Sequence, residues 1–478
     1  MKKISRILLI MVLVLSAMTS KAQNDGMSLT LLPNTSYSNM YNPAIPIEYR
    51  FVAGAVFSNI GFSIYNSSVR YHNLYNFSDG IPVAFNANQF INSLEEHDNY
   101  INSNFSMDIL RLGLGFGKFF ADFSWSYKYN GELHYSKDFL GFFVNGNGNY
   151  LGANNPADFS IGTDINMYSE LALGLRYEIN DKLSVGIRPK FLYGGANLSI
   201  NDDGTKIYTD ENTYEMTADV NINIVAATAL DMGGIYRISD FTNYFDNMDT
   251  IVLGEMFDAY ENLGFGIDFG ASYTFNEHIG VAAGVYDLGY IRWKDSKVKH
   301  IHKDNVVVND ALIDDFEDLL DMNIDFSEMY SSMMEDVWDN DSIYDGGDYK
   351  TTLKTKIMLQ GYYEFSPLAR ITAIGQMYYA RDKFHPALTL AYSGSLYRFL
   401  NLSASYTMSK YSGNSLGLGL GVKIAGLNVF VVTDNIMIVS KFNAPVMEML
   451  TSYNSANIRF GMLLTLGNKN KNKNKDIE

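Results

Sequence analysis

One short stretch of the sequence has residue types and spacing that could support covalent catalysis. Gly413–Gly417 (GNSLG) matches the G-x-S-x-G pattern of a serine nucleophile, which needs a strand-to-helix turn and a histidine later in the chain. No histidine follows Ser415, and the glycines continue at Gly419 and Gly421 with the period of a strand. We therefore interpret the stretch as strand and predict a non-enzymatic protein without a cofactor.

Two loops carry side chains that could bind a metal ion. His300 and His302 offer two imidazoles from one loop. Asp339 and Asp341 lie in an acid-rich stretch whose spacing departs from that of a calcium loop. Solvated loop side chains are the simpler interpretation of both groups, so we predict no metal site.

The composition and the N-terminus indicate an exported protein. Lys2, Lys3 and Arg6 precede the apolar run Ile7–Met18, and Ser20-Lys21-Ala22 fits a cleavage site, so residues 1–22 read as a signal peptide. The chain has no cysteine, which excludes disulfides and thiolate sites. Its net charge of −17 argues against nucleic acid, whose recognition needs a basic surface.

The stretch FFADFSWSYKYNGEL, residues 119–133, alternates between apolar and polar side chains. Its odd positions from Phe119 to Tyr129 are Phe, Ala, Trp or Tyr, and its even positions from Asp122 to Glu132 are polar or charged. A period of two is typical of a strand with one apolar and one polar face. The apolar face could meet a protein core or lipid.

The same alternation recurs along the chain in segments of about nine to thirteen residues. Short turns and long connections alternate between these segments. Soluble sandwiches use strands of about five or six residues. We therefore predict an all-β protein, a transmembrane antiparallel β-barrel of about 14 and up to 16 strands with long extracellular loops. The apolar face of residues 119–133 then meets outer-membrane lipid.

Strand parity adds a further expectation. Residues 213–225 read as a strand, but the long connections on either side of it then fall on opposite sides of the membrane. An additional strand within Ala229–Ser239 would restore the alternation. It would bring the candidates to about sixteen, one of which spans Tyr49–Tyr65.

The longest connection, residues 304–348, is acidic, with fifteen Asp and Glu and no Lys or Arg. Part of it nevertheless has apolar residues at helical spacing, which predicts a short amphipathic helix pair that caps the barrel mouth. A solvated acidic loop is the alternative. The residues expected to dock are Ile313, Phe316, Leu320, Met329 and Met333.

Three regions of the chain resemble a known family. They are LPNTSYSNMYNPAIP near the predicted mature start, Asn262–Trp293 in mid-chain, and Val431–Ile436 with Ser455–Met462 near the end. Together they resemble a family of uncharacterised exported barrels related to the FadL-like long-chain fatty-acid transporters and the PorV-type barrels. The resemblance implies an N-terminal segment that lies in the lumen as a hatch.

The resemblance assigns roles to two sets of residues. It places Asn42, Pro43 and Ala44 in the hatch. The most specific family motif lies in the mid-chain stretch, and its residues are Asp287, Leu288, Gly289 and Trp293.

Two glycine patches are predicted to face the lumen. By alternation, Gly113, Gly115 and Gly117 share one inward face, and Gly417, Gly419 and Gly421 share another. Bare backbone lets another segment approach closely, so we expect residues 24–48 to pack against one or both patches. Glycines that ease barrel curvature are the alternative.

These observations divide the chain into a signal peptide (1–22), a hatch or plug (23–48), an outer-membrane barrel (49–466) and a disordered Lys/Asn tail (467–478). The function predicted is passage or binding of a small hydrophobic molecule in the outer membrane of a Gram-negative-type cell. The alternative is a scaffold barrel that binds another envelope or secretion-system protein through its loops, without transport.

Overall fold

In a computed structural model, most of the described chain forms β-strands. The structure describes residues 27–33, 35–68, 75–78, 81–97, 99–202, 204–228, 262–308, 344–366, 369–380, 383–396, 399–409, 414–436 and 455–468. The α-helices are α1 (Met27–Leu31), α2 (Ala87–Asn92) and α3 (Lys137–Asn145), and a short 3-10 helix spans Asn147–Asn149. No helix in these ranges is long and apolar enough to cross a membrane.

Most strands belong to one sheet, and their bounds are as follows. They are β1 (Tyr49–Gly54), β2 (Ile60–Asn66), β3 (Tyr75–Ser78), β4 (Ile81–Phe85), β5 (Asn99–Phe116), β6 (Phe119–Tyr135), β7 (Ala157–Asp158), β8 (Ile161–Glu178), β9 (Leu183–Asp202), β10 (Lys206–Thr209), β11 (Met216–Thr228), β12 (Leu263–Thr274), β13 (Ile279–Val308), β14 (Tyr344–Thr352), β15 (Lys356–Ser366), β16 (Ala369–Ala380), β17 (Lys383–Leu396), β18 (Leu400–Ser409), β19 (Ser415–Ile424), β20 (Leu427–Thr433) and β21 (Ser455–Asn468). β3 and β4 form a separate hairpin.

The large sheet closes on itself. Val52 of β1 lies opposite Gly113 of β5 on one side and opposite Thr465 of β21 on the other, so β1 joins the two ends of the sheet. The neighbouring strands of this ring run antiparallel. A closed sheet has no unpaired edge, which is the condition for strands to span lipid. The predicted fold class, a transmembrane antiparallel β-barrel, is confirmed.

Several positions in the ring are each filled by two successive strands that run in the same direction. β1 and β2 share the place between β21 and β5, and β14 and β15 share the place beside β13. β11 and β12 share the place between β9 and β13. Counted by position, the described strands form a ring of fourteen.

The arrangement of β11 and β12 explains the parity of the chain. Thr228 at the end of β11 lies opposite Ala196 of β9, and Leu263 at the start of β12 lies opposite Tyr193. One wall position is thus interrupted and then resumed in the same direction. The alternation therefore holds without a further strand. Ala229–Ser239, where such a strand is expected, lies outside the described residues.

The outer face of the ring carries the apolar side chains. On β6 the even positions Asp122, Ser124 and Ser126 are buried, whereas Trp125 between them is partly exposed. On β8, Leu173 is 49% exposed although it is apolar, as a lipid contact requires. The apolar face of residues 119–133 therefore meets lipid, as the alternation predicts.

The wall is much taller on one side of the ring than on the other. β13 has 30 residues and β9 has 20, whereas β18 has 10 and β20 has 7. A strand needs about nine to eleven residues to cross the bilayer. The long strands therefore continue beyond the lipid, on the side of the long connections.

Two short helices and two short strands add to this tall wall, and together α2, α3, β7 and β10 are called the outer shell here. Phe139 of α3 packs against Phe159, with ring centroids 4.8 Å apart. Strand pairing joins Ile207 of β10 to Ala218 of β11, so the shell is bonded to the wall. Its apolar core comprises Phe90, Ile91, Leu94, Tyr135, Phe139, Leu140, Phe142, Tyr150, Ala157, Phe159, Ile207, Met216, Ala218, Val220, Ile222, Ile301 and Val308.

The sequence does not predict the outer shell. The helix pair predicted within residues 304–348 falls mostly on residues 309–343, which lie outside the described part of the chain. That range contains every residue expected to dock, namely Ile313, Phe316, Leu320, Met329 and Met333. It also contains Asp339 and Asp341.

Candidate functional site

The N-terminal segment, defined here as residues 27–33 and 35–48, lies inside the ring. The backbone N–H of Ser28 donates to Asp434 Oδ1 at 2.7 Å, and the Ser28 hydroxyl lies 3.3 Å from that of Ser405 on β18. Leu32, which is buried, lies beside Gly421: a Cβ on that glycine would be 3.0 Å from Leu32 Cδ2. The segment thus contacts the wall formed by β18, β19 and the end of β20.

Two apolar clusters hold the N-terminal segment against the inner wall. In one of them, Tyr37 meets Phe430 of β20 edge-on, with ring centroids 5.4 Å apart. In the other, Tyr41 lies 5.3 Å from the ring of Tyr286 on β13. The second cluster, called the luminal apolar cluster here, comprises Met27, Leu31, Tyr41, Tyr286, Met358, Ile374 and Ala391.

The Asn42-Pro43-Ala44 stretch is bonded to four strands of the wall. The carbonyl oxygen of Ala44 accepts hydrogen bonds from Arg176 Nε at 3.0 Å, Ser184 Oγ at 3.2 Å and Ser272 Oγ at 3.0 Å. Asn42 Nδ2 donates to the backbone carbonyl of Ala283 at 3.0 Å. One peptide of the segment therefore satisfies donors from β8, β9 and β12.

Glycines of the wall make room for this stretch. A Cβ on Gly186 would overlap the carbonyl group of Pro43, and a Cβ on Gly270 would overlap the Asn42 side chain. A Cβ on Gly284 would lie 3.3 Å from Asn42 Cγ. Sequence reasoning missed these three glycines, because single glycines within an alternating strand carry no local sign of what packs on them.

The two glycine patches predicted from the sequence differ in what they contact. A Cβ on Gly417 would approach the Ser28 hydroxyl at 2.5 Å, and one on Gly419 would lie 3.3 Å from Leu32. At Gly113 the nearest neighbours are instead wall side chains, Phe120 and Val52. Gly117 has a φ of +54° and lies in the turn between β5 and β6, where glycine tolerates that conformation. Gly115 follows on the same strand as Gly113.

Further along the segment, Tyr37 is fully buried beside β5. Its hydroxyl donates to the carbonyl of Ser58 at 2.7 Å and lies 3.3 Å from Asp108 Oδ2. Burial, together with the charge of Asp108, raises the pKa of the Tyr37 hydroxyl well above its ordinary value, so it stays a donor. The guanidinium of Arg111 lies 4.7 Å from the Tyr37 ring centroid and donates to the carbonyl of Ser36 at 3.2 Å.

The middle of the lumen contains a group of charged residues, called the luminal charge cluster here. Lys190 Nζ lies 2.7 Å from Asp268 Oδ1, 2.6 Å from Asp287 Oδ1 and 3.9 Å from Glu170 Oε2. Lys128 Nζ lies 2.6 Å from the same Glu170 oxygen. These side chains come from β6, β8, β9, β12 and β13. A charge buried to this depth is tolerated because opposite charges and hydrogen bonds surround it.

A further buried ion pair, two residues before Lys190 on β9, contacts the N-terminal segment. The Arg188 guanidinium donates to Asp122 Oδ1, and both side chains are almost completely buried. Asn39 Nδ2 donates to the other Asp122 oxygen at 3.1 Å, and an Arg188 nitrogen lies 3.5 Å from the carbonyl of Met40. The position of the segment is therefore tied to the buried charges of the wall.

The four residues of the mid-chain family motif lie in different environments of the barrel. Asp287 belongs to the charge cluster, and Leu288 is 48% exposed on the lipid face. Gly289 allows close approach, since a Cβ there would overlap the carbonyl oxygen of Phe265. Trp293 is fully buried, and its indole Nε1 donates to Thr351 Oγ1 at 2.8 Å. Trp293 belongs to an apolar layer of the lumen that comprises Tyr168, Leu192, Ala227, Ile291 and Trp293.

The two C-terminal stretches of the resemblance meet at Asp434. Its backbone N–H donates to Asn457 Oδ1 at 2.6 Å, and Asn457 Nδ2 donates to Asp434 Oδ2 at 3.0 Å. Because Asp434 also accepts from the Ser28 backbone, residues of both stretches and of the N-terminal segment form one bonded group.

The other candidates for chemistry that the structure describes lie on strands. Ser415 is the first residue of β19 and lies opposite Thr407 of β18, which is a strand environment. His300 and His302 lie on β13 opposite Asn223 and Asn221, and both imidazoles are exposed.

The chain matches one known protein family over most of its length. The model of a family of unknown function, DUF5723, matches residues 43–434. The chain belongs to this family. The matched range starts at Pro43, within the stretch bonded to β8, β9 and β12, and ends at Asp434, which bonds Ser28. No curated protein matches the chain.

Several solved structures are similar to this DUF5723 chain. They include a Pseudomonas aeruginosa FadL homologue (9% identity, TM-score 0.45, 94% of this chain and 99% of that chain). They also include the Pseudomonas putida toluene transporter TodX, with 8% identity, a TM-score of 0.41 and coverage of 93% of this chain and 93% of that chain. A third is the translocator domain of autotransporter NalP from Neisseria meningitidis, with 8% identity, a TM-score of 0.33 and coverage of 87% of this chain and 88% of that chain. A FadL homologue is thus among the similar structures, as the sequence resemblance implies.

Proposed function

We propose that this chain is a non-enzymatic outer-membrane barrel that binds and passes small hydrophobic molecules, with residues 23–48 as the plug of its lumen. The observation that carries the proposal is the luminal apolar cluster. In it, Met27, Leu31 and Tyr41 of the N-terminal segment cover Met358 and Ile374 of the inner wall. A hydrophobic molecule in the lumen would bind this same surface and would compete with the segment for it.

The chemistry of the cluster suits an exchange of partners. Methionine side chains are flexible and polarisable, so the same surface can pack against ligands of different shape. A ligand that binds the displaced state of the segment better than the packed state shifts the population toward the open lumen. Passage of a hydrophobic molecule would thus be coupled to movement of the plug.

The polar contacts of the N-terminal segment also fit a plug that can move. The Ala44 carbonyl and the Asn42 amide are bonded to groups that water can satisfy once the segment leaves. A neutral hydrogen bond of this kind contributes about 0.5–1.5 kcal/mol net, and one from the charged Arg176 guanidinium about 1.5–3 kcal/mol, because water replaces the lost partner. A few such bonds hold the segment in place without making its release prohibitive.

The proposed location is the outer membrane of a Gram-negative-type cell. A closed sheet with an apolar outer face is suited to that membrane, and the N-terminal features of residues 1–22 support export. The long connections and the tall wall would then lie on the extracellular side.

The direct test is deletion of residues 24–48 from the full barrel, followed by single-channel conductance and uptake of a fluorescent fatty acid into liposomes. We expect a folded ring, shown by heat-modifiable gel mobility, with raised conductance and faster uptake. Removal of residues 469–478 provides the control, because the last strand ends before them. A folded deletion variant with unaltered conductance and uptake would contradict the plug.

One observation favours the alternative of a scaffold barrel. The outer shell gives the tall wall a packed surface outside the lipid, with Phe139 and Phe159 in its core. A partner protein could bind there without any passage through the lumen. Uptake that fails in the intact barrel as well as in the deletion variant would favour this scaffold function over transport.

A further inference from the structure

Two neighbouring strands, β6 and β8, bring an imidazole and two carboxylates together on the luminal side of the wall. Glu132 and His134 lie two residues apart on β6, and the pairing of β6 with β8 sets Glu132 opposite Asp164. One ligand atom from each of the three side chains lies within 4.8 Å of the others. This spacing allows one ion to contact all three groups after small side-chain rotations.

The site faces the lumen. Lys354, which lies between β14 and β15, brings its ammonium to 3.4 Å from Glu132 Oε2. Those strands lie beside β13, across the ring from β6, so the contact spans the interior. All three candidate ligands are partly exposed, which leaves them accessible to an ion in solution.

The arrangement of charge calls for a cation. Like charges directly opposite each other in an antiparallel pair are destabilising, and Glu132 and Asp164 are such a pair. Lys354 brings a single positive charge, and its side chain is 41% exposed, so water screens its effect. On Asp164, Oδ1 accepts from the neutral hydroxyl of Ser199 at 2.8 Å. A divalent ion would neutralise both carboxylates at once.

A glycine adapts the wall to the imidazole. Gly162 lies opposite His134 in the same strand pair, and a Cβ at that position would overlap His134 Nε2. The absence of a side chain lets the ring lie over β8, on the strand that carries Asp164. Any larger residue there would push the imidazole away from the carboxylates.

We infer that Glu132, His134 and Asp164 bind a divalent transition-metal ion, with Zn²⁺ as the best fit. Imidazole nitrogen with carboxylate oxygens is a donor set that suits Zn²⁺ and related first-row ions, whereas calcium sites consist of oxygen ligands. Three protein ligands leave a coordination position for water or for a passing molecule. None of its three residues is among the metal candidates read from the sequence, which are His300, His302, Asp339 and Asp341.

Metal binding at this site competes with Lys354. An ion bound to the Glu132 carboxylate repels the ammonium that now lies 3.4 Å from it. Replacement of Lys354 by Met should therefore tighten metal binding severalfold.

The test uses the full mature barrel in detergent, purified without a histidine tag and stripped with a chelator. Co²⁺ is added as a spectroscopic probe, and Zn²⁺ binding is measured by calorimetry. The wild-type barrel should bind one equivalent that produces a visible d–d absorption band. His134→Ala and Asp164→Asn should each lose that band and weaken Zn²⁺ binding at least about tenfold.

The control is His300→Ala, which removes an exposed imidazole of β13 and should leave the band intact. Heat-modifiable gel mobility verifies that each variant is folded. The inference is overturned if the wild-type barrel gives no band. It is also overturned if His134→Ala binds as the wild type does, or if His300→Ala alone removes the equivalent.

Discussion

The backbone N–H of Ser28 donates to the Asp434 carboxylate at 2.7 Å, across a sequence separation of 406 residues. Asp434 is itself fixed by Asn457, so the start of the N-terminal segment is bonded to the connection between the last two strands. An anchor at this end complements the contacts of Asn42 and Ala44 at the other end.

The first prediction concerns this anchor. Asp434→Ala should remove a charge-assisted hydrogen bond of about 1.5–3 kcal/mol, so the Ser28 amide should exchange hydrogen faster. Amide exchange measured by mass spectrometry on the folded barrel provides the readout. Asn435→Ala, which alters the bonds of the same connection to Ser455, is the matched control. Equal exchange at Ser28 in both variants would show that the anchor does not hold the segment.

The second prediction concerns the glycines beneath the Asn42-Pro43-Ala44 stretch. Gly186→Val adds a side chain where Pro43 lies, so it should displace the N-terminal segment and raise single-channel conductance. Gly375→Val adds the same group to β16, where a Cβ would meet nothing within 4 Å. Conductance should stay unaltered in that control. A folded Gly186→Val barrel with ordinary conductance would count against segment displacement as the route to an open lumen.

The third prediction concerns the buried pair of Arg188 and Asp122. Asp122→Asn leaves the guanidinium without its counter-charge and should reduce the free energy of unfolding by about 3–5 kcal/mol. Denaturant unfolding in lipid vesicles measures the loss. The double variant Asp122→Leu with Arg188→Met removes both charges and should recover most of the stability. No recovery in the double variant would mean that packing, rather than charge balance, decides stability at this site.

The fourth prediction concerns the two faces of β6. Trp125→Asp places a charge on the lipid side and should impair assembly, at a cost below the 2–4 kcal/mol of a basic residue. Ser124→Asp places the same charge on the luminal side, opposite Arg111 of β5, and should assemble normally. Heat-modifiable mobility after folding into vesicles distinguishes them. Equal assembly of the two variants would refute the assignment of the faces.

The sequence was sufficient for the class of fold because strand period depends on local chemistry alone. Alternation at residues 119–133 correctly identified Trp125 as outward and Ser124 as inward. It could not show that β11 and β12 share one position, because that depends on their register against Ala196 and Tyr193 of β9. Strand parity holds only if each strand crosses the wall completely, whereas the crossing made by β11 and β12 is interrupted.

The site was less predictable than the fold, since its contacts join distant parts of the chain. Lys190 meets Asp268 and Asp287 because three strands lie side by side in a particular register. In the sequence, each of these residues reads as an ordinary polar position of an alternating strand. The same limit applies to Glu132 and Asp164, which are 32 positions apart and become opposite through one strand pairing.

The interruption between β11 and β12 has a consequence for how this barrel can vary. Because Thr228 and Leu263 are both held by β9, the register of the ring is set on each side of the break by pairing that does not involve residues 229–261. Chain length between these two residues can therefore change without a shift of strand number, direction or stagger. A foreign epitope inserted between Thr228 and Leu263 should therefore lengthen the chain and leave the strand pairing of the ring unaltered.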